Sequence, residues 1–336
     1  MFLLILLLCF TSLLAEEKVA LSANGVEIQF GALAQIWGTV PFSKEFTFGQ
    51  SPNAMTFKLR RSELKFSGKI EGEKIGWLVM LDPASRPSEP LQDLYISLNY
   101  IPKTEFRFGQ FKLPLSMEGL TSTGQLDFVE RALVVRTFSD RRDVGAMLSG
   151  RFSRWEWQAA AFNGNGQNQT DNNNWKDLFG RVVIKPIPEI AFGGSGAWGK
   201  TTYGGFSGPL ANYNVFRAGG ELKVDYGNLG LRSEIIWGRA NRPALVGIST
   251  SRDQWGGYAT LFYRLLQKHQ LGTRLEWFDL NPYVTRTAII IPTFGYTFLL
   301  SAHAKWQLNF QSQIQRRGQL ENQDIYFVLT NLQIGF

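Results

Sequence analysis

The 336-residue sequence contains one cysteine, Cys9, and only two histidines. A single cysteine excludes disulfide bonds within the chain, and the few cysteines and histidines form no spacing typical of a metal site. No serine lies in the context of a hydrolase nucleophile, and no acid–base pair is evident. We therefore expect no cofactor, no metal and no enzymatic activity.

Long hydrophobic runs are also missing after the first fifteen residues. The sequence opens with MFLLILLLCF and continues to Ala15, after which come the acidic residues 16–17. This apolar run is about 14 residues long, whereas a helix needs about 20 to span a bilayer. A removed export signal over residues 1–15 is therefore favoured over a membrane anchor, although no positive charge precedes it. Residues 16–336 would form one domain.

The rest of the chain is a series of short stretches with period-two alternation. Residues 26–36, 216–226 and 302–310 each place apolar side chains on one face and polar or charged ones on the other. Each stretch has about the length that a tilted strand needs to cross a bilayer. A soluble β-sandwich would also alternate, so alternation alone does not decide the fold class.

The lengths of the connections favour a membrane barrel. Short turns at 153–154 and 227–228 alternate with longer stretches, which are 112–142, 163–176, 199–213 and 240–254. Short turns at one end and long loops at the other are typical of outer-membrane barrels. We predict an all-β, transmembrane antiparallel β-barrel. At about 20 residues per strand with its connection, it has about 16 strands. Their predicted starts are near 26, 56, 75, 93, 104, 143, 155, 177, 189, 214, 229, 255, 271, 287, 302 and 324.

The final stretch, DIYFVLTNLQIGF, alternates up to a terminal phenylalanine. A closed barrel has no free edge, so the last strand is expected to pair with the first. An alternating strand that ends in phenylalanine resembles the signal that outer-membrane proteins present to the bacterial barrel-assembly machinery. The residues of this predicted assembly signal are Tyr326, Val328, Leu332, Ile334 and Phe336.

Several motifs in the first half resemble the phosphate-selective porin O and P family. In order and spacing they are GQFKLP at 109–114, EGLTS at 118–122, FVER at 128–131, RDVG at 142–145 and AFNG at 161–164. In addition, FKLRRSELKFSG at 57–68 is similar to the double-arginine second strand of that family. The specific part of the resemblance covers about 57 to 164.

The resemblance implies a homotrimer of sixteen-stranded barrels in the bacterial outer membrane. In each barrel a long third loop would fold into the lumen and form a constriction lined with cationic side chains. Inorganic anions such as phosphate would pass through it. The partners would then be anions, the lipid bilayer and the assembly machinery, with no role for nucleic acid.

Positive side chains in and near this loop are the candidate anion-binding residues. Guanidinium groups stay charged and offer planar forks of donors, and rings of cations select anions in pores. Alternatively, each arginine pairs with a nearby acid and only fixes the loop, as Arg131 could with Glu130 and Arg142 with Asp143. The candidates are Arg60, Arg61, Lys65, Lys112, Arg131, Arg136, Arg141 and Arg142.

The net charge of +7 would attract anions but defines no site. The sequence therefore predicts a water-filled, anion-preferring diffusion channel, with phosphate as one candidate anion. A general porin with little ion selectivity is the alternative. A barrel that serves as an adhesin or a hydrolase is a further, less favoured one.

A break in alternation marks the double-arginine strand. Phe57 and Leu59 are apolar at odd positions, but Leu64 and Phe66 are apolar at even positions. The apolar face of the strand therefore switches between residues 59 and 64. A β-bulge at or next to Arg61 would restore one apolar face and turn both arginines inward. In the alternative, the ladder is unbroken and Arg60 reaches the lipid headgroups from the outer surface.

Overall fold

The computed structural model describes residues 19–23, 25–42, 55–203, 211–242, 250–279, 282, 288–315 and 323–336. The predicted signal peptide lies outside them. Within these ranges nearly all regular structure is β-strand. The strands are β1 (Val19–Ala23), β2 (Val26–Pro41), β3 (Thr56–Ile70), β4 (Ile75–Leu81), β5 (Leu91–Leu98), β6 (Thr104–Lys112), β7 (Arg142–Arg151), β8 (Trp155–Phe162), β9 (Asp177–Ile187), β10 (Ile190–Tyr203), β11 (Ala211–Tyr226), β12 (Leu229–Arg242), β13 (Thr250–Leu265), β14 (His269–Asp279), β15 (Ala288–Leu299), β16 (Ala304–Gln315) and β17 (Gln323–Gly335).

The long strands form one closed sheet. Each pairs antiparallel with its neighbours in the sequence, and the ring closes between β17 and β2, where Gly335 lies opposite Leu33 and Phe327 opposite Pro41. Strands β2 to β17 of the described chain are therefore a sixteen-stranded antiparallel barrel. The predicted fold class and strand count are confirmed, as is the pairing of the last strand with the first.

Strand β1 is not predicted by the sequence pattern, because five residues are too few for alternation to be recognised. It folds back on β2, from Val19 opposite Phe30 to Ala23 opposite Val26. Strand β17 ends just above this level, where Phe336 exchanges two backbone hydrogen bonds with residue 32 at 2.9 and 3.0 Å. β1 therefore pairs with the part of β2 that extends past the end of β17.

The two faces of the wall are inverted relative to a water-soluble protein. In β17, Asn331 and Gln333 are 0% and 6% exposed, whereas Leu332 and Ile334 are 44% and 55% exposed. An apolar outer face and a polar inner face are what a strand needs between hydrocarbon and an aqueous interior. The alternation predicted from the sequence is thus present in the wall.

The connections differ in length at the two ends of the barrel. Turns such as 227–228 are short, and the connections at the opposite end are long, the longest described one being 113–141. This stretch contains α1 (Met117–Leu120), a short 3-10 helix (Thr123–Gln125) and α2 (Leu133–Phe138). No helix in the described part of the chain has the length and hydropathy to cross a membrane.

Strand β3 contains the predicted bulge. The ladder pairs Gln35 of β2 with Arg61, but the next residue of β2 with Leu59, so Arg60 is the inserted residue. Leu59 is 70% exposed on the outer face. Arg60 and Arg61 both approach Glu130, at 3.1 and 3.9 Å. The bulge is confirmed, and the alternative with Arg60 on the outer surface is wrong.

Candidate functional site

Residues 113–141, which we call the loop segment, are bound to inner-face side chains of strands that are remote from β6 and β7 around the barrel. The wall residues lie on β12, β14, β16 and β17, so the segment is attached along the wall opposite its own ends. The contacts are Met117 N to Glu234 (2.9 Å), Leu133 N to Glu276 (2.6 Å), Arg274 to the Glu130 carbonyl (2.9 Å), Lys305 to the Leu126 carbonyl (2.9 Å) and Gln333 to the Gly124 carbonyl (3.0 Å).

One side of the loop segment packs into a buried apolar cluster. Helix α2 contributes Val134, Val135 and Phe138. The approach is close, because a Cβ at Gly238 would lie 2.4 Å from the ring of Phe138, so this position of β12 requires glycine. Dense apolar packing fixes this side of the segment against the wall. The wall contributes Phe162, Phe179, Ile236, Tyr258 and Phe278.

The other side of the loop segment borders a cavity of about 540 Å³. Among the described residues, seven arginines and one lysine line it, against three carboxylates, so its walls carry an excess of positive charge. The lining comes from β3, β5, β6, β7, the loop segment and two further long connections. The charged members are Arg60, Arg61, Arg86, Lys112, Arg131, Arg136, Arg141, Arg142, Glu63, Asp82 and Asp140.

Seven of the eight cations predicted from the sequence therefore lie around one cavity. The eighth, Lys65, lines a second cavity of about 90 Å³ near Gln333 and Phe336, at the end with short turns. Arg86 was missed by the sequence reasoning. It belongs to the connection between β4 and β5, where prolines indicate a rigid loop but no periodicity reveals the direction of a side chain.

Two cations of the cavity are bound to backbone carbonyls at the end of α1. Arg131 is 1% exposed and donates to the carbonyls of Glu118 and Thr121 at 3.1 and 2.7 Å, while its third nitrogen lies 3.3 Å from Asp140. Lys112 donates to two carbonyls of the loop segment at 2.8 and 3.0 Å. Both side chains satisfy acceptors that a helix end leaves free. For Arg131 the structure thus favours the loop-fixing alternative.

Arg142 forms a two-pronged ion pair with Asp93 of β5, at 2.9 and 3.2 Å. The neighbouring Asp143, which the sequence offered as its partner, instead accepts hydrogen bonds from the backbone of Val144 and Gly164, both at 2.7 Å. Arg142 therefore also fixes the site, through a different acid from the one that sequence proximity indicates.

Arg60 and Arg61, at the bulge of β3, contact the loop segment through Glu130. Burial by itself would raise the pKa of Glu130, but Arg60 and Arg61, with a smaller contribution from Arg136, lower this pKa to about 2. The carboxylate is thus charged over the whole physiological range and compensates much of the charge of the two arginines. These ion pairs therefore attach β3 to the loop segment.

Glu118, in α1, is the second titratable acid that holds the segment. It accepts a hydrogen bond from Ala132 N at 2.8 Å and lies 3.5 Å from Arg274. Burial raises its pKa to about 7, against the effect of Arg274. Glu118 therefore changes its charge near neutral pH, whereas Glu130 does so only in strong acid.

Three arginines of the cavity remain without such partners. Arg86, Arg136 and Arg141 are exposed. In the part of the chain that the structure describes, their guanidinium groups form no hydrogen bond or ion pair. They are therefore the cavity's arginines that no direct ion pair or hydrogen bond holds, and they lie on two different connections.

The predicted assembly-signal residues of β17 lie on the wall. Tyr326, Leu332, Ile334 and Phe336 are 37–55% exposed, and the ring of Phe336 lies 5.7 Å from that of Phe30 on β2. Their role in assembly stays a prediction. No group of three or more His, Cys, Asp or Glu side chains among the described residues is arranged to hold a metal ion.

Comparisons with known proteins agree with this architecture. A sequence model of the phosphate-selective porin O and P family matches residues 35–206, just over half of the chain. No curated protein sequence matches. Solved porin structures share the fold at low identity. Three of them are the trimer form of OmpT, an outer membrane protein of Vibrio cholerae (TM-score 0.68, 9% identity, 93% of this chain and 100% of that chain), the outer membrane channel DcaP of Acinetobacter baumannii (0.68, 8%, 94% and 99%) and an anion-selective porin from Comamonas acidovorans (0.65, 10%, 93% and 100%).

At such identities the structural likeness shows the fold alone, while the family match covers the strands and connections that build the cationic cavity. The matched range extends on both sides of the 57–164 region that carries the motifs. Together, these findings establish that the chain belongs to the phosphate-selective porin O and P family, as a porin-type β-barrel of the bacterial outer membrane.

Proposed function

We propose that this porin is an anion-preferring diffusion channel in which the loop segment narrows the lumen and anions pass through the cationic cavity. The family and the fold indicate a channel and not an enzyme. The attachment of the segment to inner-face residues of four remote strands supports its placement in the lumen. Because α2 packs into the apolar cluster on one side of the segment, the anions would pass along the other side, which lines the cationic cavity.

The observation that carries the proposal is the set of three unpaired arginines, Arg86, Arg136 and Arg141, in the cavity. The other cations are compensated by Glu130, Asp93, Asp140 or carbonyl oxygens. Guanidinium groups whose donors are not taken by a protein partner attract anions and repel cations, and they offer donors that replace part of an anion's hydration shell. The compensated cations would set the width of the passage.

Transport through such a site needs no chemical step. Anions are steered to the cavity, exchange some water for arginine donors, and leave because each contact is individually weak. Three carboxylates in the same lining, Glu63, Asp82 and Asp140, reduce the positive potential. We therefore expect a preference for anions, phosphate among them, and not an exclusive phosphate site.

A homotrimer is part of the proposal. It is supported by the family resemblance and by the trimer form of a structural neighbour, OmpT of Vibrio cholerae. No observation in this structure favours a general porin without selectivity, an adhesin or a hydrolase.

A planar-bilayer measurement tests the function. Under a potassium chloride gradient, the purified protein should give a reversal potential of the sign expected for anion flow, and added phosphate should reduce the chloride current. A reversal potential near zero would instead establish an unselective pore. A protein that inserts but conducts no ions would contradict the channel itself.

A further inference from the structure

The outer face of the barrel changes from aromatic to polar toward the end of β10 and β11 that carries the long connections. Trp198 on β10 is 37% exposed and lies opposite Phe216 on β11. Two residues further on, on the same face, Lys200 lies opposite Asn214. A belt of aromatic rings followed by polar side chains marks the level at which hydrocarbon gives way to lipid headgroups.

The neighbouring strands show the same change. On β12 and β13, Trp237 lies opposite Trp255, and two residues further on Arg239 lies opposite Asp253. Arg239 donates to both carboxylate oxygens of Asp253, at 2.5 and 2.8 Å. The headgroup-level cation of β12 is therefore compensated within the protein.

The corresponding cation of β10, Lys200, has no such partner. Its ammonium forms no ion pair or hydrogen bond with any residue that the structure describes, and Asn214 opposite it is neutral. The ammonium instead lies 3.3 Å from the centre of the Trp175 ring, in the connection between β8 and β9. A cation–π contact positions an ammonium without neutralising its charge. A fixed positive charge therefore faces the lipid headgroups.

Backbone hydrogen bonds hold both partners of this contact. The amide of Trp175 donates to the side chain of Asn173 at 2.7 Å, and the amide of Lys200 donates to the side chain of Asp177 at 3.0 Å. Asp177 begins β9, so the connection and β10 are joined just beside the ring. The ammonium and the ring are therefore arranged before any ligand arrives, which lowers the entropic cost of binding.

The hydrocarbon-facing surface below Lys200 lacks side chains. Gly194 and Gly196 of β10 lie opposite Gly220 of β11 and Gly180 of β9, respectively. A Cβ added at any of the four would have no atom of another part of the chain closer than 3.7 Å, so the barrel's own packing does not require glycine here. Glycine weakens a strand and often marks the close approach of another group. This glycine trough has room for an acyl chain below a headgroup at Lys200.

We propose that Lys200, positioned by Trp175, binds the phosphate group of a lipid in the outer leaflet of the membrane, with one acyl chain of that lipid along the glycine trough. The long connections of such barrels are external, which places Lys200 in the outer leaflet. Its ammonium supplies charge-assisted hydrogen bonds to phosphate oxygens. Neither residue lines the cationic cavity. The site is thus separate from the proposed channel function and does not depend on ion selectivity.

Native mass spectrometry of the detergent-solubilised protein tests the site, with lipid A as the probe. Lipid A is a glycolipid whose phosphate groups carry the charge that Lys200 would bind. Wild-type barrels should retain lipid A, and Lys200→Gln should retain several-fold less. Lipid A from which the phosphates have been removed should be retained equally by the two proteins.

Three further variants separate a specific site from general attraction. The matched control, Lys268→Gln, removes an exposed lysine at the end with short turns and should retain lipid A like the wild type. Trp175→Phe keeps a ring beneath the ammonium and should retain most of the lipid, whereas Trp175→Leu should lose as much as Lys200→Gln. Gly196→Leu fills the trough without changing the charge and should also reduce retention.

Equal retention of lipid A by wild type and Lys200→Gln, or an equal loss in Lys268→Gln, would overturn the lipid site. Displacement of lipid A by an equal concentration of inorganic phosphate would overturn it as well, because the site would then take a free anion. Dissociation of an oligomer in Lys200→Gln would instead assign this face to a second copy of the chain.

The outcome is distinguishable from that of the channel proposal. The reversal potential of Lys200→Gln under a chloride gradient should equal that of the wild type, and a changed value would contradict the placement of Lys200 on the outer surface. A wild-type protein without anion preference that still retains lipid A through Lys200 would contradict the proposed function and support this inference.

Discussion

Arg142 and Asp93 form a two-pronged ion pair that joins β7 to β5 across the intervening β6, with both side chains about nine-tenths buried. The pair lies at the edge of the cationic cavity, where β7 leaves the loop segment. It therefore fixes one end of that segment to the wall by a contact that is nearly shielded from water. A shielded pair of this kind is strongly sensitive to the loss of one partner.

The first prediction follows from this contact. Arg142→Gln should destabilise the folded barrel by about 3–5 kcal/mol, because Asp93 is left charged and without its partner. Urea unfolding in lipid vesicles measures the change. The double variant Asp93→Asn/Arg142→Gln should recover most of the loss, and a single variant that unfolds like the wild type would show that the pair is not stabilising.

The second prediction concerns the unpaired arginines. Replacing Arg86, Arg136 and Arg141 together with Gln should greatly reduce the anion preference and leave the unfolding curve nearly unchanged, since none of the three holds a partner. The reversal potential under a chloride gradient checks the first part and urea unfolding the second.

A charge-matched variant serves as its control. Arg151, Arg154 and Lys268 are at the end with short turns, outside the cavity. Replacing these three with Gln removes the same net charge but should leave most of the selectivity. Equal losses in both variants would mean that overall charge, and not the cavity, selects the ion.

The third prediction is a pH optimum for the packing of the loop segment. The pKa of Glu118 is raised from 4.5 to about 7, so its stabilising contribution is complete below pH 4.5 and is lost as the pH rises through 7. The pKa of Glu130 is lowered from 4.5 to about 2, so its contribution is present above pH 4.5 and is lost as the pH falls through 2. Current fluctuations of open channels should be smallest near pH 5 and larger at pH 8 and pH 3.

Two variants separate the two acids. Glu118→Gln should abolish the part of the difference between pH 5 and pH 8 that comes from Glu118, because the side chain is then neutral at both. Glu130→Gln should fluctuate more at every pH and show little further change between pH 5 and pH 3. Wild-type fluctuations that do not vary with pH would refute the assignment of both groups.

The fourth prediction uses the bulge. A single deletion in a strand normally moves every following side chain to the opposite face. Deleting Arg60 should instead give an unbroken ladder with Leu59 still outside and Arg61 still inside, so the barrel should assemble. Deleting Ser62 should place Arg61 on the outer face, at a cost of roughly 2–4 kcal/mol near the membrane midplane. Heat-modifiable migration on gels reports assembly of both variants.

The wall of this barrel could be predicted from the sequence because its rules are local. Alternation along each strand located β2 to β17, and the change of face between Leu59 and Leu64 located the bulge at Arg60 and Arg61. Each of these features depends on about ten consecutive residues, a length over which the side-chain period of a strand can be recognised.

The partners of the charged residues could not be obtained in the same way. Arg142 pairs with Asp93 and not with the adjacent Asp143, because the fold brings β5 and β7 to the same cavity. Apolar inner-face residues such as Phe179 and Phe278 also depart from the polar interior expected of a barrel wall. These contacts depend on how the loop segment lies across distant strands, which periodicity along one strand does not encode.

The two sides of the loop segment lie in opposite environments, one apolar and one charged. Mechanical support of the segment and contact with the ion are therefore assigned to different side chains. Apolar packing of α2 against β12 to β14 provides mechanical support, whereas the charges that meet the ion lie on the opposite side of the segment and on the connection between β4 and β5. Substitutions of Arg86, Arg136 and Arg141 can therefore change which solute passes without loosening the support. For protein engineering, this makes the barrel a scaffold whose selectivity can be altered at three positions outside the strands of the wall.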